Sequence, residues 1–180
     1  MSARFLCLCA MLCLSTPVVA EDGDTPCTRA GAGVTFCAGE DFDRIDAGTR
    51  KGVSYWLHHS GFVSKILAEK NTTNASRHTI EARIIEMVDA QADAGGRSFE
   101  FVDLDSRSIG GAPFGTLIYT VRGAKQATRI LHSYAAQGGV LVQVLSQVAP
   151  NNTAADDVAL KAAHFEALGA LHPAKTDPLL

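Results

Sequence analysis

The sequence predicts an α+β fold, with a single antiparallel β-sheet of about six or seven strands covered by two amphipathic helices. Three observations predict it. Runs of alternating or β-branched residues recur from Val34 to Val148, separated by short Gly-containing turns. Two segments, one near 76–94 and one after Thr153, switch to apolar residues at helical spacing. The links between consecutive strands are too short for parallel crossovers, so neighbouring strands must run antiparallel, and an amphipathic helix needs a sheet face to cover.

The chain opens on a segment that reads as an export signal. Arg4 is the positive n-region, Phe5–Leu14 an apolar stretch too short to span a bilayer, and Val18-Val19-Ala20 the small residues before cleavage after Ala20. Each of Cys7, Cys9 and Cys13 follows a leucine, against the small residue that an acylated cysteine requires. Removing the first 20 of 180 residues leaves 160, one domain by length. That domain divides into an acidic, disulfide-containing segment at 21–52, an α+β body at 53–172 and a C-terminal tail at 173–180. The mature chain then holds two cysteines, Cys27 and Cys37, and in an oxidising compartment these are expected to pair.

The elements follow in order. Val34–Cys37 is a short first strand, and Phe42–Gly52 a polar connection. Val53–His58 and Phe62–Lys70 flank Ser60-Gly61 as a hairpin. Ile80, Ile84, Met87 and Val88 form the stripe of a helix from about Ser76 to Ala94, capped by Ser76 or Asn74 and ended by Gly95-Gly96. Ser98–Asp105 alternates Phe99, Phe101 or Val102, and Leu104 against acids. Phe114–Val121, Ala127–Ala135 and Val140–Val148 complete the meander through turns at 122–125 and 137–139. Val140–Val148 is apolar enough to be a central strand. The second helix starts on Thr153-x-x-Asp156, buries Val158, Ala162, Phe165 and Leu168, and leaves Pro173 and the residues after it frayed. Trp56 belongs to the core.

The Phe114–Val121 strand, the Gly-turned pair Thr128–Tyr134 and Val140–Val148, and the closing helix with Phe165 and Leu168 before Leu171-His172 resemble the PsbP-like group and its DcrB-like bacterial relatives over residues 98–172. The resemblance implies a PsbP-like α/β sandwich and a protein that binds partners. It carries over no catalytic residues.

Charge narrows the partners. The chain carries a net −3, and residues 21–46 concentrate seven acids against Arg29 and Arg44. No basic stripe is present, so nucleic acid and anionic membrane are poor candidates as partners. The sequence lacks G-x-S-x-G, H-E-x-x-H, a P-loop and G-x-G-x-x-G, so no catalytic residue, metal ligand or cofactor is assigned. The polar residues that could contact a partner are His58 and His59, one on each face of a strand, and Asp103 and Asp105, which share a strand face continued by Arg107. His132 and Tyr134 share a face and are expected to form a satisfied inward pair. Asn71, Asn74 and Asn151 begin N-x-S/T patterns and mark exposed loops.

The expectation is a non-catalytic exported protein of the periplasm or envelope, in a bacterium by its Ala-rich composition, that binds another protein or an envelope component. Two alternatives stand beside it. One is a periplasmic immunity-type inhibitor that offers its acidic start to an exported toxin. The other is a small secreted hydrolase built from His58, His59, His132, Asp103 and Asp105.

Overall fold

Two sheets and two helices make up the computed structural model, which describes residues 27–45, 52–71, 75–149 and 156–173. The leader, the Thr153 cap position and the tail after Pro173 lie outside the described residues. The strands are β1 (Cys27–Gly31), β2 (Val34–Cys37), β3 (Phe42–Ile45), β4 (Val53–His58), β5 (Phe62–Lys70), β6 (Ser98–Ile109), β7 (Ala112–Arg122), β8 (Ala127–Gln137), β9 (Val140–Val148) and β10 (Leu171–Pro173). The helices are α1 (Arg77–Ala94) and α2 (Asp157–Gly169).

The main sheet has seven strands in the order β3-β4-β5-β9-β8-β7-β6, with every neighbouring pair antiparallel. The expected single sheet is corrected in one respect: β1, β2 and β10 form a second, three-stranded sheet. Its third strand ends on Pro173, the first of the residues expected to fray. Leu171, His172 and Pro173 pair with Phe36, Thr35 and Val34, and Cys37 N–H donates to the Ala170 carbonyl at 2.9 Å. Cys27 and Cys37 are register partners of β1 and β2 and are joined by a disulfide. The polar connection after β2 also contains a strand, β3, which forms one edge of the main sheet.

The small sheet sits on β5 by close backbone approach. A Cβ at Gly31 would lie 2.5 Å from the Ala68 carbonyl oxygen, so only glycine allows the contact, and Ala32 N–H donates to that oxygen at 3.1 Å. Phe36 from this sheet is fully buried against Trp56 and Phe42, with ring centroids 4.5 and 5.4 Å away. Trp56 is core, as expected.

The helices cover opposite faces of the main sheet. Ser76 caps α1, its hydroxyl accepting from Thr79 N–H at 3.2 Å. Ile80, Ile84, Val88 and Ala92 recur every fourth residue and are buried, the first three in one cluster with Leu117, Tyr119 and Tyr134. Met87, expected in this stripe, is exposed. α2 is capped by Asp156, which accepts from Val158 N–H at 2.8 Å. Its buried face is Leu160, Ala163, His164, Ala167 and Leu168, and Val158 is 75% exposed. The expected stripe through Val158, Ala162 and Phe165 is therefore rotated, and the reason is His164, a polar residue that turns inward.

Candidate functional site

Beneath α2, a chain of hydroxyls crosses the four central strands. Thr116 on β7 and Ser133 on β8 are register partners with oxygens 2.6 Å apart; Ser64 on β5 and Ser146 on β9 are partners at 2.7 Å. His164 joins the two pairs, with Nε2 2.7 Å from Ser133 Oγ and Nδ1 2.8 Å from Ser146 Oγ. All five side chains are buried. Burial, and secondarily the nearby His132, push the His164 pKa down to about 3, so the ring is neutral, one nitrogen donating and the other accepting. Cut off from solvent, this chain of groups fastens α2 to the sheet and cannot meet a substrate.

On the opposite face, His132 lies beside β7 and β9. Its Nε2–H donates to Gln143 Oε1 at 3.0 Å, and Nδ1 faces the Tyr119 hydroxyl at 3.5 Å. Desolvation pushes the His132 pKa down to about 4 and raises that of Tyr119. Tyr134 on the same face donates to Glu81 at 2.7 Å, and burial and then that carboxylate raise its pKa to about 12. His132 and Tyr134 thus share a buried face, each with its own partner.

The remaining residues singled out in the sequence lie apart from one another. His58 Nε2 is 3.2 Å from Glu166 of α2, and its Nδ1 faces the Ser60 hydroxyl in the following turn. The backbone N–H groups next to this turn are engaged: His59 donates to Asp41, and Gly61 to His58. His59 pairs with Asp43 at 3.3 Å. Asp103 accepts from Leu104 N–H at 2.8 Å. Asp105 accepts from Ser106 N–H at 2.7 Å, which lowers its pKa, with help from Arg107 at 3.1 Å. The Arg107 guanidinium in turn lies 4.0 Å over the Phe165 ring. The structure does not gather His58, His59, His132, Asp103 and Asp105 around one point.

What it does gather is an apolar patch that the sequence pattern misplaced. β6 is an edge strand, with no strand on its outer side among the described residues. Its register slips between Phe101 and Asp103, leaving Val102 as a bulge. Strict alternation would send Phe101 and Leu104 to opposite faces, because they are three residues apart. The bulge restores them to one face, Phe101 opposite Tyr119 and Leu104 opposite Leu117, while Asp103 and Asp105 stay on the other. Phe101, Val102 and Leu104 are exposed by 49%, 43% and 44%, where the alternation had implied burial. The signal was the odd spacing itself, since Phe99, Phe101 and Leu104 cannot share a face in a regular strand.

No family model matches the sequence, and no curated protein matches it. Solved structures do. The cyanobacterial PsbP of Synechocystis sp. PCC 6803 superposes with a TM-score of 0.59 at 16% identity, over 85% of this chain and 95% of its own. The Ran-binding protein Mog1p of Saccharomyces cerevisiae gives 0.54 at 11% identity, over 78% and 90%. The protein of unknown function PA94 of Pseudomonas aeruginosa, described as a putative regulator, gives 0.52 at 14% identity, over 76% and 99%. At these identities the likeness is one of architecture, and the chain adopts the PsbP-like fold.

Proposed function

We propose that this chain is a non-catalytic, exported protein-binding domain, working in a periplasm or envelope, and that the β6 edge is its partner surface. The observation that carries the reading is the bulge at Val102, which puts the exposed Phe101 and Leu104 on one face of an edge strand beside the exposed Val102. Covering three half-exposed side chains of this size stabilises a complex by about 3 kcal/mol in total. Exposed apolar clusters on otherwise polar surfaces mark interaction sites. The Cys27–Cys37 disulfide supports an oxidising compartment, and the leader-like residues 1–20 support export. Mog1p, which has the same fold, is described as Ran-binding, which supports partner binding as a use of this architecture.

The test is affinity capture from envelope extracts with the mature protein, run beside Phe101→Arg and Leu104→Glu. The expected result is a partner retained by the wild type and lost by both variants while their melting temperatures hold. A partner retained equally by all three proteins would remove β6 from the account.

A further inference from the structure

On the face that α1 only partly covers, the helix and the open floor of β5, β9, β8 and β7 enclose a groove of about 850 Å³. That volume lies in the range of small-molecule sites. We propose that this groove binds a single-chain amphipathic carboxylate, an alkyl acid whose head sits at Lys65 and whose chain lies along the apolar lining.

The head site follows from register. Lys65 on β5 is paired with Leu145 on β9, so Gln143 and Gln147 are its diagonal neighbours on the same face. All three line the groove. The Gln143 oxygen is occupied by His132 Nε2–H, so its amide N–H₂ is the end left for a ligand. The site therefore offers an ammonium and an amide donor and keeps its nearest acceptor engaged. This arrangement suits a carboxylate and not a cation.

Charge along the groove agrees. Lys65, Arg97 and Lys125 all line it, and none of the three makes an ion pair among the described residues. Glu69 is the single acid of the lining. Three cations without an acid partner along one concavity, Lys65 with its ammonium 5.9 Å from the Tyr55 ring centroid, give the groove a positive lining in a chain of net −3, which suits an anion. The anion needs an apolar body as well, because Leu67, Met87, Val88, Val121, Ile130 and Leu145 supply much of the wall. Met87, exposed on α1 and outside the core stripe, has a role here as an adaptable side chain over the groove.

The experiment is titration calorimetry of the mature protein with dodecanoate below its micellar concentration, beside dodecanol, dodecyltrimethylammonium and acetate. Dodecanoate is expected to bind at one site, at least tenfold tighter than dodecanol, with the cationic amphiphile and acetate weaker still. Lys65→Gln should weaken dodecanoate about tenfold, as loss of a charge-assisted hydrogen bond does. Leu145→Glu should abolish binding by placing a carboxylate in the groove, and both variants should melt like the wild type. The proposal is overturned if dodecanol binds as well as dodecanoate, if acetate alone accounts for the affinity, if no ligand binds, or if both variants bind normally.

Discussion

Lowering the pH from 7 to 4.5 should strip this fold of about 5 kcal/mol, and two buried histidines set the figure. His132 and His164 are fully buried and neutral, with pKa values pushed down to about 4 and about 3 by desolvation; Lys65 depresses the first further, and His132 the second. In the unfolded chain both titrate near the ordinary value of about 6.5. Between 6.5 and the folded values the unfolded state therefore binds more protons, so stability rises with pH there and falls as the solution is acidified. Above about pH 6.5 neither histidine contributes to this slope. At pH 4.5 each contributes a loss of roughly two pH units at about 1.4 kcal/mol per unit, or about 2–3 kcal/mol. Urea unfolding at stepped pH measures it: with a slope of about 2 kcal/mol per molar, the midpoint should fall by roughly 2.5 M. His164→Gln should be less stable at pH 7, because one of its two hydroxyl partners loses its bond, yet its stability should depend on pH only about half as steeply. A urea midpoint that stayed level from pH 7 to 4.5, or His132 and His164 imidazole resonances titrating near 6.5 in the folded protein, would refute the reasoning.

Three further outcomes follow from the packing. Val144, fully buried beside Ile66 and Ala135, should tolerate no charge: Val144→Asp should cost several kcal/mol or prevent soluble accumulation, and Val142→Asp, at the half-buried margin of the same cluster, should cost less by denaturant titration. Gly115→Ala should destabilise by about 1–3 kcal/mol in thermal melts, since the new Cβ would meet the Tyr134 ring and hydroxyl at 2.6 Å, and that ring is pinned by Glu81. Asp103→Asn and Asp105→Asn, on the face of β6 away from Phe101 and Leu104, should leave the circular-dichroism spectrum and partner capture unchanged.

Local pattern carried much of this architecture. The Ser76 cap and the Ile80–Ile84–Val88 spacing place α1, and the hairpin and meander strands lie where alternation and glycine turns put them. What local pattern cannot carry is pairing across the chain. Leu171–Pro173 is three residues long and ends in proline, and its partner strand lies more than a hundred residues earlier, so nothing nearby marks it as a strand. The α2 face was misread because histidine counts as polar, although Ser64, Thr116, Ser133 and Ser146 all stand at inward positions on four neighbouring strands and needed a partner. That row of inward hydroxyls was a usable sign of a buried polar residue above the sheet. The β6 patch was hidden for a different reason: alternation predicts faces only in a regular strand, and neither the bulge nor the edge position is written in a period of two. Residues chosen for their chemistry, His58, His59, Asp103 and Asp105, turned out to have local or surface partners because residue type says nothing about convergence.

The central claim, that the β6 edge is where a partner sits, is met most directly by photo-crosslinking in the host envelope. A photoreactive side chain replaces Leu104 in one protein and Glu86, on the exposed side of α1, in another. One discrete heteromeric adduct is expected from position 104 and none from 86. An adduct from 86 and none from 104, or equal yields from both, would contradict it.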